Sequence, residues 1–431
     1  MELPSKIDGP VSFYAYHLEM SSGKDKIDKL ILLFGDVHTY KKYTCRLGKN
    51  TTRPKDDQSA ITKFIRDVVV PCETEDCFSI IKFLTDTFKQ TKVCIDFFLE
   101  DKYGLSPSVK HNKAKSFPQE TSYLLMGDII IEFRNCLQPS KIFCPEYADT
   151  RIPDFVVKIM DYILFESGIN EEIHELRRSK YNEKNIEAFI QKLGQLKNVV
   201  KPRFEETFKY MLGLSNKKPN YGEMFESEEA IEFQRRKIQK QWRGISPAVR
   251  KIILPLVQEM YDIYLTNSID TWGFPITIDT YSDPDAYLFK GFAVLMDSYL
   301  ILRMLRRDLS DSHIAIIYAG NYHIKRYVEI LDKIAEKIVF VPMEDRNIKC
   351  VDIPREAREK IYWLTAEFPK CKCSYGESET VASNINWRKM QLLDYYSFFA
   401  LSGRRVAIID EFGKLHIANF HPTRTELQAP K

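Results

Sequence analysis

The apolar positions of this chain change period along its length, and the changes divide it. Leu30-Ile31-Leu32-Leu33-Phe34 is a short continuous apolar run closed by Gly35-Asp36-Val37-His38. Such a run is too short to cross a membrane and suits a strand buried on both faces, as in a parallel sheet. Ile314-Ala315-Ile316-Ile317-Tyr318-Ala319 repeats the arrangement and runs into Gly320-Asn321-Tyr322-His323. Lys92–Glu100 reads as a further buried strand, Met126–Arg134 and Ile338–Val341 as strands, and the aromatic and β-branched stretch Val11–His17 as an edge strand. Between them, Ser59–Val70, Ser79–Lys89, Val294–Arg307 within Asp285–Arg307, and Ile324–Ile338 read as helices. Strands alternating with helices predict βαβ units and a largely parallel sheet.

In the middle of the chain the strand pattern stops. Asp154–Phe165, Ala188–Leu214 and Arg250–Leu265 read as amphipathic helices, the last opened by Ser246 as N-cap and Pro247 in the first turn. Asn216–Glu228 reads as an exposed loop. Near the end, Arg405–Asp410 and Leu415–Phe420 flank Glu411-Phe412-Gly413-Lys414 as a β-hairpin. The fold class expected is α/β: a central, largely parallel sheet flanked by helices, with a large helical insertion in the middle and a C-terminal β-hairpin. The parts are an N-terminal α/β half with the first Gly-x-x-His over 1–150, a helical insertion or lid over 151–270, and a C-terminal α/β half with the second Gly-x-x-His over 271–431.

Composition narrows the function classes. At 431 residues and 44% hydrophobic content, the chain can bury a large core without staples. Lys and Arg total 63 against 60 Asp and Glu, a formal charge of +3, which makes no global case for nucleic acid or anionic membrane. The nine cysteines are scattered and odd in number, and the first residues are polar with Pro4 and Pro10; this predicts a reducing, cytoplasmic setting without a secretory leader. No apolar run approaches the ~20 residues of a transmembrane helix. Cys72, Cys77, Cys371 and Cys373 lack the spacing of a zinc ribbon and are expected to be reduced thiols. No Gly-x-x-x-x-Gly-Lys-Ser/Thr occurs, which removes P-loop nucleotide chemistry.

What remains is the chemistry of the two strand ends. In open α/β sheets ligands bind just beyond the carboxyl ends of the strands, so the two Gly-x-x-His termini are expected to meet and build one site. Imidazoles with carboxylates are ligand types that a divalent metal accepts, and such a metal can acidify water and polarise a carbonyl. One Gly-x-x-His is a weak signal, since a histidine there equally serves as a cap or a core residue bonded to a carbonyl. Two copies, each directly after a buried-type strand, carry more.

Paired Gly-x-x-His motifs far apart in the chain resemble the Tiki/TraB superfamily, which includes the ChaN haem-binding lipoproteins and the erythromycin esterases; Gly35–His38 and Gly320–His323 are the matching residues. Leu33–His38, Met296–Met304 and Ile317–His323 also look like uncharacterised proteins of nucleocytoplasmic large DNA viruses. The resemblance covers the first and third parts of the chain. Tiki proteins are metal-dependent proteases, the erythromycin esterases act without an obvious metal, and ChaN binds haem. The pattern expects a glutamate on the strand after the first motif and an arginine ahead of the second. Asp96 fits the carboxylate position, one methylene shorter than Glu, with Glu100 at the strand end as the alternative, and Arg303 fits the arginine.

The implied function is a divalent-metal-dependent hydrolase of amide or ester bonds, with Mn, Co or Zn as the metal and haem not expected. His38, His323 and Asp96 would be ligands, Asp36 and Glu100 carboxylate partners, and Arg303 the fork that stabilises negative charge. Asp297 lies off the face shared by Tyr299 and Arg303 and suits orienting a histidine or capping the helix. The partners implied are a peptide or ester substrate. The alternative is a non-catalytic virion or host-interaction protein that retains the fold, located in host cytoplasm or virion.

Overall fold

The computed structural model describes residues 3–22, 25–37, 43–45, 71–90, 93–102, 125, 129, 146–149, 151, 153–168, 171, 186–222, 224–265, 291–306, 312–345, 348–369, 405–409 and 415–419. Their strands are β1 (Lys6–Asp8), β2 (Ser12–Ser22), β3 (Asp25–Asp36), β4 (Cys77–Ser79), β5 (Ile95–Lys102), β6 (Glu146–Asp149), β7 (Ile314–Gly320), β8 (Glu336–Val341), β9 (Cys350–Asp352), β10 (Arg405–Ile409) and β11 (Leu415–Asn419). The helices are α1 (Ile80–Gln90), α2 (Pro153–Glu166), α3 (Ile186–Met211), α4 (Phe225–Gly244), α5 (Pro247–Leu265), α6 (Ala293–Met304), α7 (Asn321–Leu331) and α8 (Arg355–Glu367). The architecture is mixed α/β.

The two apolar runs lie side by side in a six-stranded sheet of order β6-β5-β7-β3-β2-β8. β3 pairs in parallel with β7, in a register that sets Gly35 opposite Ala319 and Asp36 opposite Gly320. β5 is parallel to β7 and to β6, whereas β2 is antiparallel to both β3 and β8. The Val11–His17 stretch is therefore an interior strand rather than the expected edge, because β8 covers its outer side. A second, three-stranded sheet has the order β4-β1-β9, and β10 pairs with β11 as a hairpin.

Burial on both faces explains the continuous apolar runs. Ile31, Leu33, Phe98, Ala315 and Ile317 join one core with residues of α2 to α7, while Leu30, Leu32, Phe34, Phe97, Leu99, Ile314, Ile316 and Tyr318 join a second with α1 and α8. The strand period of two sends alternate side chains of one run into the two cores.

Several helices follow their sequence cues. Ser246 Oγ accepts the Val249 amide at 3.4 Å, as an N-cap ahead of Pro247 does. The loop expected over Asn216–Glu228 stops short, since α4 begins at Phe225. α4 and α8 carry too many charges for their apolar stripes to stand out, and burial of Ile231, Ile238 and Trp242 on α4 supplies what periodicity hides. Within Met126–Arg134, expected as a strand, the one described residue, Ile129, is helical and buried. Ser59–Val70, Cys371 and Cys373 lie outside the described residues.

The cysteines correct the reading of a uniformly reduced chain. Cys72 and Cys77 are unbridged and buried, but Cys45 and Cys350, 305 residues apart, form a disulfide, and Cys94 is disulfide-bonded as well. Scattered spacing gave no sign of a pair that only the fold brings together. Among the described residues no helix is long and apolar enough to cross a membrane.

Candidate active site at the strand ends

The carboxyl ends of β5 and β7, the early turns of α6 and the first turn of α7 bring together Glu100, His323, Asp297 and, from two residues beyond the Asp149 strand end, Arg151. The second Gly-x-x-His straddles an element boundary: Gly320 ends β7 and caps α7, so His323 falls in the first turn of that helix. α6 packs across the same end and presents Asp297 from its own early turns.

His323 is buried and held at both ring nitrogens. Nδ1 lies 2.7 Å from Asp297 Oδ1 and Nε2 3.3 Å from Glu100 Oε1. Burial alone would drive the imidazole neutral, but the charge and hydrogen bond of Asp297, with those of Glu100, overcome it and raise its pKa to about 10. The residue is an imidazolium near neutral pH. Glu100 shows the complementary response: burial would raise its pKa, yet the hydrogen bond and charge of His323, the Gly320 amide and Arg151 lower it to about 2. The amide of Gly320 donates to Glu100 Oε2, so the carboxylate also sits against the positive end of α7.

A second layer holds these groups in place. Asp297 accepts hydrogen bonds from Tyr327 Oη, at 2.7 Å, and from Tyr264 Oη, which reaches in from the end of α5. Burial and the Asp297 charge raise the pKa of both phenols, so they stay donors. Arg151 Nη2 approaches Glu100 Oε1 at 3.5 Å while Nε and Nη2 fork onto Asp149 at 2.8 and 3.1 Å. Burial disfavours its charge, but Asp149, Glu100 and Asp297 more than restore it. Next to His323, Tyr322 is half exposed and its ring meets those of Tyr264 and His323 edge-on, with centroids 6.0 and 5.8 Å away.

The remaining candidates lie elsewhere. Asp96 starts β5 and faces Lys29 at 3.4 Å; four residues of strand, about 13 Å, separate it from Glu100. Of the two carboxylates offered for one role, only Glu100 reaches His323. Arg303 is buried in the last turn of α6, six residues beyond Asp297, or about 9 Å along the helix axis. The α6 terminus lies at the other end of the sheet, where Lys29 Nζ bonds the Met304 carbonyl at 3.0 Å. Arg151 therefore takes the place expected of Arg303 beside the carboxylate. Asp36 lies at the correct strand end but joins Lys349 Nζ at 2.8 Å, both side chains fully buried. His38 lies outside the described residues, two positions beyond Asp36.

Tyr327 was legible in principle, being one helical turn from His323 on the same face. Nothing local marks Arg151 or Tyr264, which reach the site only through the packing of α2, α5 and α6.

Two donors suit a cation. Glu100 and the Nε2 edge of His323 converge, and a carboxylate behind the other ring nitrogen is the usual companion of a metal-binding histidine. Asp149, Glu100 and Asp297 against Arg151 and the imidazolium leave one net negative charge, and exchanging the imidazolium proton for a divalent cation would leave none. Among the described residues no group of three or more His, Cys, Asp or Glu side chains is arranged to hold a metal ion, so a third ligand would have to come from outside them. Compared with family models, curated proteins and solved structures, the chain matches none.

Proposed function

We propose that the protein is a hydrolase of amide or ester bonds, related in arrangement to the Tiki/TraB superfamily, with a largely parallel sheet as its platform. Its site lies beyond the ends of β3, β5 and β7. The observation that carries this reading is the Glu100–His323–Asp297 line at a strand end beside the other Gly-x-x-His terminus.

In this reading Glu100 and His323 hold a divalent cation, Mn, Co or Zn, together with His38. When bound, the cation supplies an acidified water and an electrophile for the scissile carbonyl. The chain's own residues supply the rest. Asp297 fixes the imidazole so that Nε2 faces Glu100, and Tyr264 and Tyr327 hold Asp297 in turn. Arg151 keeps Glu100 ionised and stands beside it as a fixed cation for negative charge on the substrate. The helices of 151–270 deliver Tyr264 and act as a cover.

Metal analysis with a hydrolysis screen on peptide and ester substrates tests this. Stoichiometric Mn, Co or Zn, lost together with hydrolysis in His323→Ala and Glu100→Gln, is the expected result. A folded wild-type protein that takes up none of these metals and cleaves no substrate would overturn it. One observation favours the rival reading, a non-catalytic virion or host-interaction protein: both ring nitrogens of His323 are already satisfied by carboxylates. That reading predicts partner binding unaffected by either substitution.

A further inference from the structure

On the face of the sheet opposite His323, four cysteines gather around one buried carboxylate. Asp8 is fully buried; its Oδ1 accepts the amides of Thr44 and Cys45 at 2.7 and 2.9 Å, and its Oδ2 accepts the amide of Cys72 at 3.0 Å. One carboxylate thus holds the backbones of Cys45 and Cys72 within a few ångström of each other. Cys45 is bridged to Cys350, and both are partly exposed. Cys72 and Cys77 are buried, unbridged and hydrogen-bonded to each other. The result is an outer disulfide and an inner dithiol on one scaffold.

We propose that these four residues form an internal thiol–disulfide exchange centre, in which the Cys72–Cys77 dithiol takes over the disulfide of Cys45–Cys350. The Cys72 sulfur, as thiolate, attacks one sulfur of the bridge and expels the other. Cys77 then attacks the Cys72 sulfur of that mixed disulfide and expels the second. One S–S bond breaks and one forms, and the two protons lost by Cys72 and Cys77 end on Cys45 and Cys350. No external oxidant or reductant is consumed. The hydrogen bonds that Asp8 accepts from the Thr44, Cys45 and Cys72 amides involve no sulfur, so they can hold these segments together in both states.

The exchange bears on the strand end. Lys349, the neighbour of Cys350, bonds Asp36 through Nζ and Thr44 Oγ1 through its amide, at 2.8 and 2.6 Å. With the bridge moved inward, segment 43–45 keeps its hydrogen bonds to Asp8 and Lys349 but no covalent link to β9, and the Lys349–Asp36 pair loses its covalent clamp. Burial raises the Cys77 thiol, so the resolving step is slow at neutral pH; its rate should rise about tenfold per pH unit as Cys77 thiolate becomes available.

The test uses the intact oxidised protein without added thiol. It is held at about pH 7 and about pH 9, quenched in acid, alkylated, digested and mapped by mass spectrometry. A Cys72–Cys77 disulfide with alkylated Cys45 and Cys350, more abundant at the higher pH, is expected. Cys77→Ser should trap a mixed disulfide between Cys72 and Cys45 or Cys350. If Cys72 and Cys77 are alkylated and the Cys45–Cys350 bridge is intact at both pH values in the wild-type protein, the proposal is overturned, whatever the fate of the variant.

Discussion

Asn321 lies over Gly35, so each Gly-x-x-His motif makes room for the other. Asn321 Oδ1 accepts a hydrogen bond from Ser12 Oγ at 2.7 Å, and that bond passes where a Gly35 side chain would be. A Cβ on Gly35 would stand 2.6 Å from Asn321 Oδ1, with Ser12 Oγ closer still. This glycine is required by close approach, since its backbone is ordinary strand. Gly35→Ala should cost about 1–3 kcal/mol, the range of overpacking, measured by urea unfolding. Combining it with Ser12→Gly and Asn321→Ala should recover part of the loss.

The imidazolium between Glu100 and Asp297 makes stability depend on pH at both ends. The folded pKa of His323, about 10, exceeds its ordinary 6.5, so its contribution is complete below 6.5 and lost as pH rises through 10. The folded pKa of Glu100, about 2, lies below its ordinary 4.5, so its contribution is complete above 4.5 and lost as pH falls through 2. Both are complete between 4.5 and 6.5. Denaturant midpoints should plateau there and fall on either side, and His323→Gln should flatten the alkaline limb.

Lys349 and Asp36 are an ion pair with both side chains at 0% exposure. Removing one partner of such a pair costs about 3–5 kcal/mol, whereas apolar replacement of both is near neutral. Lys349→Met should therefore destabilise strongly, and Lys349→Met with Asp36→Leu should restore most of the loss in the same unfolding assay.

The two acidic residues of β5 should separate in function. Glu100→Gln, at the site, should abolish the hydrolysis proposed above, while Asp96→Asn should leave kcat/KM within about twofold and act only on stability, at roughly 1–3 kcal/mol for an altered part-buried partner of Lys29. Equal loss of activity in both variants would mean that the site lies elsewhere.

Tyr264→Phe tests the second layer. Loss of its bond should cost about 1–3 kcal/mol, because buried Asp297 Oδ2 loses this donor while Oδ1 keeps His323 and Tyr327. The measurement is thermal unfolding compared with that of Tyr322→Phe, whose ring is half exposed and whose loss should be small.

The apolar runs of β3, β5 and β7, and their ends in glycine and polar residues, were legible from residue order because burial on both faces demands continuous apolar sequence. The same signal located the candidate site at Gly320–His323, and helix periodicity found α5 and α6. Residue order alone could not choose between Asp96 and Glu100, which share a strand and a face, because which end of β5 meets His323 is decided by its parallel register with β7. Nor could it find Arg151, Tyr264 or the Cys45–Cys350 bridge. Local sequence reports the period of a single element; a partner 305 residues away is chosen by how sheets and helices pack, and that choice belongs to the tertiary structure.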